Sequence, residues 1–396
     1  MTDAALVAFY LPMHTATRLA LPVMDRVRAL NPSTHICAYG LYAPLNAGIL
    51  REHGVQTVLG PEFEEDLAEL AAAPNVMRPA NWLSGRVRFI PPDRSDLPPL
   101  STYASLQVGG SRKVVGYTEA TRGCKHRCRH CPIVPVYDGR FRAVPFDVVI
   151  ADIRGQVAAG AEHVTFGDPD FFNGPTHGLA IVETLAREFP GVSYDVTIKI
   201  EHLLKHSALL PRLRDTGCAF VTSAVESFDD EVLAKLEKGH TRADVEAVAE
   251  HCASIGLALS PTFVAFTPWT TPEGYCAMLA DIGRLGLVPA VSPIQYAIRL
   301  LIPQGSRMLG LEDVRARVDR FDSTSLTHVW RHADSRVDAL QQSLEALVGH
   351  RLTAPRSDMF ARVREIAYRA AGLPEPDGPP LLSRAAVPYL NEPWYC

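Results

Sequence analysis

An α/β fold is predicted: a partial (β/α)6 TIM-like barrel, preceded by a small Rossmann-like domain and followed by a helical C-terminal region. Three observations predict it. Short apolar runs alternate with amphipathic stretches through residues 4–73, and the alternation resumes at Lys113. The second series holds six βα units at roughly 35-residue spacing, room for a strand, a crossover helix and a return. Apolar content of 47% and charged content of 21% over 396 residues suit a globular chain of two or three domains.

In chain order, "ALVAFY", "HICAYG" and "VQTVLG" read as strands. Helices follow each: Thr15 to Leu30, "PLNAGILREHG" closed by Gly54, and Pro61 to Ala73. These make a Rossmann-like domain over 1–75. Residues 76–112 are proline-rich and aperiodic, and read as a connector. The barrel is expected over 113–310. Its strands are "KVVGYTEA", "EHVTFG", "SYDVTIKI", "CAFVTSAVE", "LALSPTFVAF" and "AVSPIQYAIRL". Its active site is expected where the strands' C-terminal ends meet the following loops. Residues 311–372 read as helical, and 373–396 as an extended, proline-rich tail.

Several function classes are excluded. A net charge of −5 gives no reason to expect nucleic acid or an anionic membrane as partner. No apolar run reaches the ~18 residues of a spanning helix. The N-terminus lacks a secretory pattern. Cys37, Cys218, Cys252, Cys276 and Cys396 are scattered, as reduced cytoplasmic thiols are. Neither GxSxG nor GxGxxG occurs.

The chemistry concentrates in "TRGCKHRCRHC", directly after the first barrel strand. Its spacing is Cys124-x3-Cys128-x2-Cys131. Thiolates hold iron–sulfur clusters, and four irons ordinarily need four protein ligands. Three thiolates leave one iron open for a substrate or cofactor. Arg122, Lys125, Arg127 and Arg129 can offset the negative charge of thiolate and sulfide. The competing reading is a zinc-binding interaction protein, with His126 or His130 as fourth ligand.

In spacing and placement this motif resembles that of the radical S-adenosylmethionine (SAM) enzymes, and the resemblance covers roughly 113–310. It implies a [4Fe–4S] cluster on Cys124, Cys128 and Cys131, with SAM chelated at the open iron. It implies reductive cleavage of SAM to a 5′-deoxyadenosyl radical that acts on a small-molecule substrate. An electron donor such as flavodoxin or ferredoxin is implied as partner. By the same resemblance, Gly167 and Asp168 of "FGDPDFF" meet the SAM amino group, although the family's usual stretch is GGE. Glu226 and Ser227 of "SAVESFDD" face its ribose or amino group. His130 stands where an aromatic packs on adenine.

Two further expectations come from the residues. Strand alternation puts Lys199 and Glu201 on one side of "DVTIKIEHL", either into the barrel as binding groups or into solvent. Arg299 lies in an apolar run and is costly to bury without an anion, so it is expected to face a carboxylate of SAM or substrate. Arg140 and Arg142 could do the same or lie on the surface.

A Rossmann-like domain before such a barrel resembles the cobalamin-binding branch, which brings cobalamin as a further cofactor. The cobalt-ligating DxHxxG is absent: Pro12 and Thr17 flank His14 in place of Asp and Gly. "SAVES", "KGHT", "FTPWTT", "IRLLIPQGS" and "PWYC" together resemble a group named for its CUAEP/CCAEP tail. That resemblance leads one to expect the chain to continue past Cys396. It also admits transfer of a 3-amino-3-carboxypropyl group to a soft acceptor such as trivalent arsenic.

Overall fold

The structure is a computed structural model that describes residues 3–74, 87–349, 355–376 and 388–391. The first strands, β1 (Leu6–Tyr10), β2 (His35–Tyr39) and β3 (Thr57–Val58), form a three-stranded parallel sheet in that order. The helix His14–Leu30 covers it, because Leu21, Met24 and Val27 recur at helical spacing and bury one stripe. The second expected helix is broken at Asn46 into Tyr42–Leu45 and Ala47–Glu52, and the third begins at Glu64.

The expected connector contributes to the main sheet. Its last residues form β4 (Ser105–Val108), antiparallel to β5 (Ser111–Thr118). After β5 a two-stranded hairpin, β6 (Thr121–Gly123) and β7 (Phe141–Ala143), brackets the cysteine loop. The parallel series continues with β8 (His163–Phe166), β9 (Ser193–Thr197), β10 (Cys218–Glu226) and β11 (Leu259–Phe263). The sixth expected strand is a 3-10 turn, Pro293–Tyr296, followed by a single bridge from Arg299 to Phe266. The sheet is thus a curled half-barrel.

Alternation separates its two faces. Val164, Phe166, Tyr194, Val196, Val221 and Val225 share one core with the surrounding helices, such as Pro175–Glu188 and Arg242–Ile255. The opposite face is mixed, with Phe220 stacked on His163 beside a polar group. His163 Nε2 is 2.8 Å and Thr165 Oγ1 2.7 Å from Asp195 Oδ1. Strand propensity is satisfied on both faces, by valine outside and by threonine inside.

The expected helical region begins instead with a hairpin, β12 (Val318–Asp322) and β13 (Thr327–Trp330). Its turn residue Leu326 is buried in the N-terminal domain's core, and His14 Nε2 lies 2.7 Å from Ser325 O. Helices Ser335–Gly349 and Arg356–Ala371 then pack on the barrel's core. From the tail, β14 (Tyr389–Asn391) pairs antiparallel with β4. Cys396 lies outside the described residues. No helix among the described residues is long and apolar enough to cross a membrane.

Candidate active site at the mouth of the half-barrel

The cysteine loop is set at the C-terminal end of β5 by contacts on both flanks. Asp168 accepts from Ala120 N at 2.9 Å and from Thr121 Oγ1 at 2.6 Å. Asn173 donates to Gly123 O at 3.1 Å and accepts from Lys125 N at 3.2 Å. Gly123 has φ +78°, and a Cβ there would stand 2.6 Å from Arg140 O and from the Tyr137 ring. Only glycine can make this turn immediately before Cys124. On the far side Arg129 N donates to Leu236 O at 2.8 Å.

All three thiols are free; Cys128 is buried, and Cys124 and Cys131 are half-buried. Burial pushes the Cys124 thiol up to about 11 and Cys131 up to about 12. Without a metal these groups stay protonated at neutral pH, and metal binding would release the protons. The sulfurs are not gathered within 4.8 Å of one another. Thiolates sharing one zinc at about 2.3 Å would lie about 3.8 Å apart. The expected fourth zinc ligands also face elsewhere: His126 meets His202 and Lys199, and His130 meets Glu226. A spread set of three fits a multi-iron cluster better than one ion.

Glu226 closes the opposite side of the mouth. It ends β10 on a bulge, at φ +67°. Its Oε1 lies 3.1 Å from His130 Nε2 and 3.3 Å from Lys238 Nζ. Burial pushes its carboxyl up, but Lys238 and His130 outweigh that and hold it down at about 2. His240 lies in the same corner, its Nε2 3.2 Å from Val225 O. Burial, then Lys238, lowers its imidazole to about 4.

The structure brings most of the expected residues together, with changed surroundings. Lys199 and Glu201 are past the end of β9, at the start of helix Ile200–Lys205, and do not alternate on a strand. Both still face the loop: Lys199 Nζ is 2.9 Å from Glu201 Oε2 and 3.2 Å from His126 Nδ1. Gly167 donates to Thr118 O at 2.9 Å and lies under the Tyr117 ring, where a Cβ would fall 1.8 Å from the phenolic oxygen.

Ser227 has a local partner, and Arg299 departs from expectation. Ser227 Oγ accepts from Asp229 N at 3.0 Å and holds a turn. Arg299 finds its anion within the protein: Nη1 is 2.7 Å from Asp338 Oδ1, Nη2 donates to Trp330 O at 2.7 Å, and the guanidinium lies 3.6 Å over the Trp330 ring. The hairpin and the helix Ser335–Gly349 supply these partners.

The loop's cations likewise act as struts. Arg122 pairs with Glu119 and Glu64, and Arg142 with Glu62, tying the loop to the N-terminal domain. Arg127 pairs with Asp138, Arg129 with Glu237, and Lys125 Nζ reaches Phe172 O. Sequence reasoning missed Asp170, His202 and Lys238, and named His126 only as a fourth ligand beside the cysteines. Lys238 and Asp170 lie in the quoted "KGHT" and "FGDPDFF", but neither stretch says where a side chain turns.

Residues 118–270 match the radical SAM superfamily. This superfamily uses a [4Fe–4S] cluster and SAM, and these are the cofactors of the domain. A tRNA-2-methylthio-N(6)-dimethylallyladenosine synthase of Chlorobium limicola is 23% identical over 47% of this chain and 44% of its own. A ribosomal protein uS12 methylthiotransferase of Geobacter sulfurreducens is 23% identical over 46% and 43%. The chain thus spans less than half the length of these relatives. Among solved structures, the cobalamin-dependent SAM radical enzyme OxsB with aqua-cobalamin superposes with TM-score 0.65 at 13% identity, over 92% of this chain and 63% of that one. The radical SAM methyltransferase TsrM of Kitasatospora setae gives 0.54 at 15%, over 93% and 88%. At these identities the likeness is one of fold.

Proposed function

We propose, from the premise that residues 118–270 are a radical SAM domain and the chain an enzyme, that Cys124, Cys128 and Cys131 hold one [4Fe–4S] cluster at the barrel mouth. The enzyme cleaves SAM reductively and acts on a small molecule. The observation that carries this reading is the spread set of three free thiols, facing a buried His130–Glu226–Lys238 network across the mouth. Held by Cys124, Cys128 and Cys131, a cluster would supply the electron for reductive cleavage of a carbon–sulfur bond of SAM. Glu226 is ionised throughout the neutral range and accepts from hydroxyl or ammonium groups of SAM. Asp168 and Asn173 hold the loop from below. An acidic redox protein such as flavodoxin or ferredoxin is the proposed electron donor.

The relatives' tRNA and ribosomal-protein substrates belong to chains more than twice the matched length, so they are not carried over. Anaerobic incubation with SAM and dithionite tests the reading. 5′-Deoxyadenosine is the expected product. 5′-Methylthioadenosine would indicate aminocarboxypropyl transfer instead, and no nucleoside at all would refute SAM cleavage.

The N-terminal domain supports a second reading, in which cobalamin is a further cofactor. Tyr10 and Tyr39 end β1 and β2 and cluster with Phe63, ring centroids 4.4–5.9 Å apart, leaving Tyr10 half exposed. Such a ledge at the C-terminal edge of a parallel sheet suits a planar group. His14 is held by Ser325 O and is not proposed as a cobalt ligand. Equilibrium dialysis with hydroxocobalamin tests this: binding that Tyr10→Ala weakens is expected, and no binding refutes it.

A further inference from the structure

We propose that His126, Asp170 and His202 form a mononuclear metal site, separate from the cysteine sulfurs, that takes a borderline divalent transition ion such as Zn(II). Among the described residues this is the group whose three ligand atoms lie within 4.8 Å of one another. His126 Nε2 is 3.2 Å from His202 Nε2 and 3.5 Å from Asp170 Oδ2. Ligands of a tetrahedral zinc with bonds of about 2.0–2.1 Å stand about 3.3–3.4 Å apart. The two separations from His126 fall near that range, while Asp170 Oδ2 stands 2.7 Å from the other ring nitrogen of His202, Nδ1.

A second observation is how deeply the pair is buried. The side chains of Asp170 and His202 are 1% and 2% exposed. Asp170 Oδ2 pairs with His202 Nδ1 at 2.7 Å, off the line of a good hydrogen bond. A carboxylate this buried needs a partner, which an imidazole N–H or a coordinated ion can supply. The other Asp170 oxygen accepts from Phe172 N at 3.0 Å, which fixes the carboxylate plane.

Outer contacts set the imidazoles. His126 Nδ1 is 3.6 Å from Glu201 Oε2, itself held by Lys199. Lys199 Nζ donates to this same Nδ1 at 3.2 Å, so an ion on Nε2 requires Lys199 to turn wholly to Glu201 and the ring proton to move to Nδ1, where it faces that carboxylate. Two imidazoles and one carboxylate favour Zn(II), Fe(II) or Co(II) over Mg(II) and Ca(II).

The three ligands come from three places: the cysteine loop, the turn after β8, and helix Ile200–Lys205 after β9. His126 sits between Cys124 and Cys128. An ion here pins that loop to the barrel and acts as a positioning element. The site does not depend on what the cysteines bind.

The test uses the full chain with Cys124, Cys128 and Cys131 all changed to alanine, stripped with chelator and titrated with Zn(II), with Co(II) as spectroscopic probe. Expected are one tight equivalent and a cobalt spectrum without sulfur-to-metal charge transfer. Adding His202→Gln or Asp170→Asn is expected to weaken zinc binding at least about tenfold, whereas His206→Gln leaves it unchanged. In case the triple variant does not fold, metal analysis of the reconstituted parent chain gives a second readout. There His202→Gln is expected to lose one zinc while iron and sulfide stay constant. Absence of bound zinc, or binding indifferent to both substitutions, overturns the proposal.

Discussion

Glu226 Oε1 lies 3.1 Å from His130 Nε2, joining the end of the fourth parallel strand to the residue before the third cysteine of the loop. Lys238 Nζ completes the contact at 3.3 Å, and all three groups are nearly dry. Removing the carboxylate strands a buried ammonium. Glu226→Ala is therefore expected to cost about 3–5 kcal/mol in urea unfolding. Glu226→Ala combined with Lys238→Met is expected to recover most of it. Equal loss in the single and double variants would show that the pair is not coupled. In the folded single variant, SAM affinity is expected to fall by roughly tenfold or more, from loss of a charged acceptor. The carboxyl is held down at about 2, below its unfolded value. Its contribution is present above about pH 4.3 and is lost as pH falls toward 2.

Asp168 gives the opposite sign. Burial pushes its carboxyl up to about 7, against the pull of Thr121 and Ala120. The proton is held more tightly in the folded state. The associated stability is full below about pH 3.9 and is lost as pH rises through about 7. Asp168→Asn is expected to remove this slope. The melting temperature of the variant relative to wild type is expected to climb between pH 4 and 7.5. Parallel profiles over that window would show that Asp168 titrates normally.

Gly167 lies directly under the ring of Tyr117, a half-exposed side chain. A Cβ at 167 would meet the phenolic oxygen at 1.8 Å and the ring carbon that bears it at 2.2 Å. Gly167→Ala is expected to cost about 1–3 kcal/mol by overpacking. Tyr117→Ala in the same chain is expected to relieve most of that, with a coupling energy of at least about 0.5 kcal/mol in the double-mutant cycle. Simple additivity would contradict the contact.

Much of this architecture was legible in the sequence, and the failures have identifiable causes. Period-two apolar runs located β5 and β8–β11 because their outer faces pack on helices. The cysteine loop was legible because its chemistry is local in sequence. Lys199 and Glu201 were assigned to a strand because "DVTIKIEHL" alternates like one, but β9 ends at Thr197 and a helix begins at Ile200. β4, β14 and the hairpin β12–β13 were missed because each is short; β14 pairs with a strand remote in sequence, and the hairpin's turn is held by the N-terminal domain. Arg299 was rightly seen to need an anion. Composition could not tell a ligand's carboxylate from Asp338, brought from 39 residues away.

Arg299 accordingly tests structure and not binding. Arg299→Ala is expected to destabilise by about 1–3 kcal/mol through the lost charged hydrogen bond to Asp338. Iron content and SAM affinity are expected to stay at wild-type levels. A selective loss of SAM affinity without change in melting temperature would return Arg299 to the cofactor site.

The measurement closest to the central claim is iron and sulfide content after anaerobic reconstitution of wild type and of Cys124→Ala, Cys128→Ala and Cys131→Ala. Wild type is expected to hold about four iron and four sulfide per chain, and each variant to fall to a small fraction of that, with no SAM cleavage. Cys218→Ala, in the barrel wall, is expected to match wild type. A Cys128→Ala protein that keeps its full iron and sulfide would contradict the assignment of the cluster to this loop.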